Sequence, residues 1–381
     1  MAVRWLVWSA ALVIGVGAGV GIAAARQTSS ETGAPIPIVR QVANPLLDRG
    51  TALNSVAPAF TLTDQFGKKV SLSSFRGKVV VVSFNDPLCT TICPLTTTAL
   101  LEAKKRLGPA AANVQLLGIG ANPEATQVKW VHEYSQDHKM LDKWRFLTGS
   151  LPQLQRVWQS YGIAAAVQHG EIDHTPATYI IDPQGRETRL FLTNMAYSRV
   201  PQLATVLARA IAADLPGHPQ VRYASSLAPV KLIGPGKHVK LGRANGSGSF
   251  RLGPGIGPHL VLFFNTWDPG IAANLEHLYR LEDVESLPPL YAVDEANVEP
   301  SAATLSQFLS RLDLGSYGNY FVGVDPNGRV ADGYGVQNSP WLTLVSDSGK
   351  ILWSYDVAEA GWPSTRSLER RVRAALAHAQ K

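Results

Sequence analysis

An unbroken apolar run, VVVVSF at Val79–Phe84, most constrains how this chain folds. Its length and its β-branched residues are typical of a central strand that is buried on both faces. A helical pattern follows in LTTTALLEAKKRL (Leu95–Leu107), and VQLLGIG (Val114–Gly120) predicts a second buried strand. Further helices are predicted at residues 124–138, 151–161 and 201–215, and a further strand begins at residue 177. Strands that alternate with helices predict an α/β fold whose sheet is covered on both faces.

The second half of the chain repeats part of this pattern. HLVLFFNTWDPGIAANLEHLYRL (His259–Leu281) resembles KVVVVSFNDPLCTTICPLTTTALLEAKKRL (Lys78–Leu107). NSPWLTLVSDSGKILW (Asn338–Trp353) likewise resembles HTPATYIIDPQGRETRL (His174–Leu190). A chain of 381 residues is also long for a single core. We therefore predict two related domains, at residues 51–215 and 258–378, joined by a linker at residues 216–257.

The N-terminal segment carries a membrane signal. Trp5–Ala25 contains no charged residue and is about long enough to cross a bilayer as a helix. Its Gly-rich second half also fits a cleaved signal peptide. We predict that residues 1–26 are a transmembrane anchor or signal segment and that residues 27–50, rich in Ser, Thr, Gly and Pro, are a flexible tether. The protein is then a single-pass membrane protein with both domains extracytoplasmic, or a secreted protein if the segment is cleaved.

The charge distribution argues against one class of partner. The 35 Lys and Arg against 29 Asp and Glu give a net charge of +6, and no run of five or more basic residues occurs. Nucleic acid is therefore not an expected partner. The chain also lacks the phosphate-binding loop, the serine nucleophile elbow and the HExxH zinc helix.

The chain has only two cysteines, Cys89 and Cys93, at the predicted turn between a strand and a helix. A structural disulfide closing so short a loop would stabilise the fold by only about 2 kcal/mol. A redox pair is favoured by the helix N-terminus, where the dipole stabilises a thiolate. A metal site is the third interpretation, because thiolates select soft ions such as Cu(I).

A family resemblance favours the metal. APAFTLTDQFGKKVSLSSFRGKVVVVSF, CTTICP (Cys89–Pro94) and DHTPATYIIDPQG (Asp173–Gly185) resemble the Sco/SenC proteins, over residues 53 to about 213. This family comprises thioredoxin-fold copper proteins associated with cytochrome c oxidase assembly. The resemblance implies a mixed α/β sheet flanked by helices, and copper, as Cu(I) or Cu(II), held by Cys89, Cys93 and His174. Where family members often carry aspartates, Asn122–Thr126 reads NPEAT, which puts that segment's role in doubt.

The resemblance also implies a function. We expect a copper chaperone, or a thiol reductant, for the copper-bearing subunit of cytochrome c oxidase, acting with other copper or thiol-redox proteins. The alternative is a general thiol–disulfide oxidoreductase without metal, in which Cys89 and Cys93 form a reversible catalytic disulfide. Pro176 precedes a strand, as does the cis-proline of thioredoxin-like enzymes. Four other polar side chains are expected to be solvated surface groups: His132, His138, His169 and Glu171.

The second half resembles thioredoxin-like proteins in a degenerate form. Where an active member would carry WCxxC, this chain has TWDPGI, which places Asp268 and Ile271 at the cysteine positions. Thiol chemistry is thereby excluded from this half. We expect Asp268 to cap the following helix and Ile271 to pack inward. This half is expected to fold alone and to serve in binding.

Overall fold

The computed structural model describes residues 48–379, except residues 91, 169–170, 193–195, 222–229, 245–247, 285 and 317–319. Segment 1–26 and nearly all of tether 27–50 lie outside the described residues. Within the described range, no helix combines the length and the apolar character that crossing a membrane requires.

The strands and helices of the first half form a mixed α/β unit. Its strands are β1 (Thr51–Val56), β2 (Thr61–Asp64), β3 (Lys69–Ser71), β4 (Val79–Asn85), β5 (Val114–Gly120), β6 (Arg145–Thr148), β7 (Ala165–Gln168), β8 (Glu171–His174), β9 (Ala177–Ile181) and β10 (Arg186–Leu192). Its helices are α1 (Ile92–Arg106), α2 (Val128–Asp137), α3 (Leu151–Ser160) and α4 (Val200–Asp214). Eight strands form one sheet in the order β1-β10-β9-β4-β5-β6-β2-β3, while β7 and β8 form a separate hairpin.

A second sheet lies in the second half. Its strands are β11 (Val239–Arg243), β12 (Ser249–Leu252), β13 (His259–Phe264), β14 (Leu290–Asp294), β15 (Phe321–Val324), β16 (Trp341–Val345) and β17 (Ile351–Asp356). Its helices are α5 (Ile271–Asp283), α6 (Thr304–Leu309), α7 (Arg329–Tyr334), α8 (Val357–Ala360) and α9 (Thr365–Ala379). The strand order is β12-β11-β15-β14-β13-β16-β17.

The centres of the two sheets share one topology. In the first sheet β4 pairs in parallel with β5 and antiparallel with β9, and β5 pairs in parallel with β6. In the second sheet β13 pairs in parallel with β14 and antiparallel with β16, and β14 pairs in parallel with β15. Strand β13 thus occupies the position of β4, and β16 that of β9. These are the same pairs whose sequences resemble each other. The predicted internal repeat therefore has a structural counterpart.

Most predicted elements are present, with shifted ends. All seven residues of β4 are buried, and β5 has the predicted bounds. Helix α2 begins at Val128 rather than at residue 124. The reason is local: the Asn122 side-chain oxygen accepts the backbone N–H groups of Glu124 and Ala125, which holds this stretch in a turn. Among the described residues the cis peptide bond is Ser339–Pro340, so Pro176 is not the cis-proline.

One hydrophobic cluster joins the two halves. Its members come from one face of β4, from α1, α2, α4 and α7, and from one face of β13. The other face of β4 belongs to a second cluster with α3, and the other face of β13 to a third cluster with α5, α6 and α9. The molecule therefore has five layers, helices and sheets in alternation, and the two sheets share the middle layer of helices. The sequence predicts two separate cores, whereas this cluster draws on both halves.

Candidate metal and thiol site

The two cysteines lie where β4 leads into α1, Cys89 in the turn and Cys93 in the helix. The Asp86 side chain accepts the backbone N–H of Leu88 (2.8 Å), and its carbonyl oxygen accepts that of Cys89 (3.2 Å). These two bonds fix Cys89 ahead of the helix, where it is half-buried. Cys93 is the second residue of α1 and only 2% exposed. Both residues are thiols, and no disulfide links them in this described segment.

His174 reaches the cysteines from the end of β8. Its Nε2 lies 3.7 Å from Cys93 Sγ, although 81 residues separate the two in sequence. The hairpin end is fixed by Thr175, whose backbone N–H donates to the Ala164 carbonyl and whose hydroxyl accepts the Ala164 N–H. The His174 Nδ1 faces the Thr175 carbonyl at 3.3 Å. The structure therefore brings His174 to direct contact distance from Cys93, as the family resemblance implies.

The Cys93 thiol is not the readily ionised group that the sequence predicts. A hydrogen bond with the Cys89 side chain raises the pKa of Cys93 well above its ordinary value, and complete burial raises it further. The negative charges of Cys89 and Asp86 act in the same direction, while a bond from the Asp86 backbone opposes them. Burial and like charge disfavour the thiolate, so here they outweigh the helix dipole. Without a bound cation, Cys93 is protonated at neutral pH.

Asp86 is a site residue that sequence reasoning missed. It is 6% exposed and accepts a hydrogen bond of 2.8 Å from the Asn122 amide, which is also buried. Asn122 stands in the segment that lacks the aspartates of the Sco/SenC proteins, so in this chain an amide orients the carboxylate beside the cysteines. The signal available in the sequence was the Asn-Asp-Pro step directly after a buried strand.

The predicted ligands meet through Cys93, which contacts both Cys89 and His174. Throughout the described part of the chain, no group of three or more His, Cys, Asp or Glu side chains is arranged to hold a metal ion. Cys89, Cys93 and His174 are thus neighbours whose donor atoms do not converge on one point in this arrangement.

The remaining polar candidates divide between surface and interior. His132 is half-buried, with its Nδ1 3.1 Å from the Gln65 carbonyl. His138 is not a surface group: it is 8% exposed, and its ring packs at a tilt against Tyr134 and edge-on against Trp267, with centroids 4.2 and 4.8 Å away. Burial lowers the pKa of His138 to about 3, so its imidazole is neutral. His169 and the Glu171 side chain lie outside the description.

Asp268 does not cap α5, contrary to the prediction. The N-cap is Gly270, whose φ of 71° suits glycine. The Asp268 carboxylate is 3% exposed and accepts the Asn265 backbone N–H (2.8 Å) and the Ser339 hydroxyl (2.7 Å). Burial raises the pKa of Asp268 to about 8. Ile271 packs inward as predicted, at 3% exposed.

Comparison with known proteins supports the predicted resemblance. Residues 49–211 match the SCO1/SenC family model, which confirms the resemblance over the first half. The SCO1 protein homolog of Bacillus subtilis is 29% identical over 139 residues, 35% of this chain and 72% of that protein. The mitochondrial SCO2 homolog of Bos taurus is 32% identical over 33% of this chain and 50% of its own length. The chloroplastic peroxiredoxin Q of Suaeda salsa is 36% identical over 23% of this chain and 40% of its length. The chain therefore spans only half or less of the latter two relatives.

A solved structure shows a similar partial match. Bradyrhizobium japonicum ScoI, solved with copper bound, is 26% identical and covers 41% of this chain and 99% of its own, with a TM-score of 0.35.

Proposed function

Residues 49–211 match the SCO1/SenC family, and on that premise we propose that this chain binds one copper ion through Cys89, Cys93 and His174. The observation that carries the proposal is the 3.7 Å contact between Cys93 Sγ and His174 Nε2. Two thiolates and one imidazole suit copper, because soft sulfur ligands select Cu(I) and imidazole binds copper in either oxidation state. The negative charge of Asp86 also acts on Cys93.

The observed contact fits a shared ion. Cys93 Sγ and His174 Nε2 lie 3.7 Å apart, within hydrogen-bond distance for sulfur, and both atoms could bind the same ion once the thiol has lost its proton. Binding then requires both thiols to lose their protons and the half-buried Cys89 side chain to turn toward the ion. A cation also offsets the negative charge that raises the Cys93 pKa.

We further propose that the copper serves cytochrome c oxidase assembly, with the copper-bearing subunit of the oxidase as the partner. The family resemblance supports this assignment. The predicted N-terminal segment supports a single-pass membrane protein whose described part is extracytoplasmic, where the metal passes to a partner.

The test is copper binding by the purified protein, measured by competition with a chromophoric Cu(I) chelator. We expect one copper per chain, loss of tight binding in Cys89→Ser and Cys93→Ser, and at least tenfold weaker binding in His174→Ala. His132→Ala is the matched control, because His132 is half-buried and contacts Gln65 rather than the cysteines. Stoichiometric binding that persists without both cysteines would overturn the proposal.

A second candidate function is reduction of a partner disulfide. It is favoured by the contact between a half-buried thiol, Cys89, and a buried one, Cys93. The Cys89 thiolate attacks one sulfur of the partner disulfide, forms a mixed disulfide and releases the first partner thiol. Cys93, having lost its proton, then attacks the Cys89 sulfur and releases the second. The partner gains two electrons and two protons, and Cys89–Cys93 becomes a disulfide. Insulin reduction at rates comparable with thioredoxin would favour this candidate over copper delivery.

We propose that residues 51–215 and 258–378 are two thioredoxin-like units, and that residues 216–257 connect them and also supply β11 and β12 to the second sheet. The shared central strand order and the sequence repeat support this division. Because both cysteines belong to the first unit, the second contributes binding surface rather than thiol chemistry.

A further inference from the structure

A small cleft opens beside Cys89, between the two halves of the molecule. Its volume is about 140 Å³. One wall is α2 of the first half, and the opposite wall is the turn that holds Trp267 and Pro269 of the second half. Binding pockets for whole small molecules usually measure about 300 Å³ or more, so this cleft has room for a single side chain.

The α2 wall carries two carboxylates one helical turn apart, Glu133 and Asp137. Both are exposed, and neither forms an ion pair with any cation that the structure describes. Partial burial and the neighbouring Glu133 raise the pKa of Asp137. The nearest lysine on this helix, Lys129, instead lies over the Trp130 ring, 3.9 Å from its centroid. Even counting Lys129, the cleft has a net negative charge.

The two walls also present aromatic rings to the cleft, together with one unpartnered polar group. Trp130, Tyr134 and Trp267 line the cleft together with His138. The His138 side chain is more than nine-tenths buried, and its ring makes no hydrogen bond to a described residue. Aromatic faces beside carboxylates form a site that suits a cation, since the ring quadrupole and the negative charges attract it together.

We propose that this cleft receives one lysine or arginine side chain of the protein partner that exchanges copper or thiols with Cys89. This inference rests on the proposed function, because it assumes that Cys89 exchanges copper or thiols with the partner. Charge complementarity identifies the occupant: two carboxylates without cationic partners, aromatic rings, and space for one side chain. Trp267 and Pro269 give the cysteine-free half a role, because they form the wall that closes the cleft over Cys89.

Charged small disulfides test the proposal. In Cys93→Ser protein, the Cys89 thiolate attacks cystamine, forms a mixed disulfide and releases one cysteamine. The thiol that would otherwise attack the Cys89 sulfur and release the second cysteamine is absent, so the mixed disulfide accumulates. The rate is compared with that of neutral hydroxyethyl disulfide and of anionic dithiodipropionate. Each result is expressed as the ratio of charged to neutral reagent, because the fraction of Cys89 that is ionised cancels in this ratio.

We expect Glu133→Gln/Asp137→Asn to lower the cystamine ratio at least fivefold and to raise the dithiodipropionate ratio, because both carboxylates attract the cationic reagent and repel the anionic one. Added KCl should reduce the wild-type cystamine preference. Glu369→Gln, on distant α9, is the matched control and should leave both ratios unchanged. Trp267→Leu should also lower the cystamine ratio. If Trp267→Leu does not fold, the Glu133→Gln/Asp137→Asn variant, which changes only exposed side chains, still tests whether the cleft favours a cation.

Unchanged ratios in Glu133→Gln/Asp137→Asn would overturn the inference, as would a wild-type preference for the anionic reagent. Copper binding is measured separately, in protein that retains Cys93. The Glu133→Gln/Asp137→Asn variant should bind copper as tightly as wild type. A charge preference without copper binding would refute the metal assignment alone, whereas copper binding without a charge preference would refute the cleft alone.

Discussion

Asp332 of α7 holds the segment that leads into α4 of the other half. Its two carboxylate oxygens accept the backbone N–H groups of Tyr197 (3.0 Å) and Ser198 (2.9 Å). Asn297 adds a third bond, from its amide to the Tyr197 carbonyl (2.7 Å). The contact between the halves thus includes specific polar bonds as well as apolar packing.

The first prediction concerns this carboxylate. Asp332→Ala leaves two backbone N–H groups without their charged acceptor and should lower the free energy of unfolding by about 2–4 kcal/mol. Asp332→Asn keeps one accepting oxygen and should cost about half as much. Urea unfolding measures both, with the exposed Asp313→Ala as a control expected to change stability by less than about 0.5 kcal/mol. Equal effects of Asp332→Ala and Asp313→Ala would contradict the prediction.

The second prediction concerns pH. The Asp268 pKa of about 8 exceeds the ordinary value of 3.8, so between these values the folded state binds a proton that the unfolded state has lost. Stability should therefore fall as pH rises from about 4 to about 8, by roughly 1.4 kcal/mol per pH unit from this group. Asp268→Asn removes the titration while its oxygen still accepts from Ser339.

Urea unfolding at pH 5 and pH 8 tests this sign. The stability of Asp268→Asn relative to wild type should be higher at pH 8 than at pH 5 by about 2–4 kcal/mol. The exposed Asp313→Asn should show no such change. A relative stability that is the same at both pH values means that Asp268 is already ionised in the folded protein.

The third prediction concerns the order of thiol modification. Cys89 is half-buried whereas Cys93 is buried with a raised pKa. Because the thiolate is the reactive form, iodoacetamide at pH 7 should alkylate Cys89 at least tenfold faster than Cys93. Mass spectrometry of Cys89→Ser and Cys93→Ser separates the two rates. A faster reaction at Cys93 would show that the thiol at the start of α1 is accessible and ionised.

The fourth prediction concerns truncation. A chain that ends at residue 215 loses one side of the layer that contains Leu203, Val206 and Leu207. It should bind a hydrophobic dye and lose its cooperative urea transition, because a large apolar face becomes exposed. The full chain is the reference. A soluble fragment with a cooperative transition would support the separate cores that the sequence predicts.

Local patterns in the sequence were sufficient to predict the central strands and the longer helices. The β-branched run at Val79 and the apolar run at Val114 each produced the predicted buried strand. These strands are buried by elements that lie next to them in the sequence, so the local apolar pattern is enough to predict them. The Cys93–His174 contact was expected only through the family resemblance, because it joins residues 81 positions apart.

Properties that depend on burial and on side-chain contacts in the folded chain were not predictable in this way. His138 directly follows α2 in a polar stretch of the sequence, and Trp267, from a distant part of the chain, helps to bury it. The Cys93 pKa follows from its burial and its contact with Cys89, which outweigh the helix N-terminus. The Asp268 side chain accepts from Ser339 on a neighbouring segment, whereas the sequence suggested only a local cap.

The shared middle layer has a consequence for synthesis. The ribosome completes α1 and α4 before β13 exists, so their apolar surfaces must wait for the second half. Domains of larger chains usually fold in order as they emerge, and exposed apolar surface during that interval promotes aggregation. In this protein the first half gains its final partner only when translation has passed Val345, and translational pausing before that point prolongs the vulnerable interval.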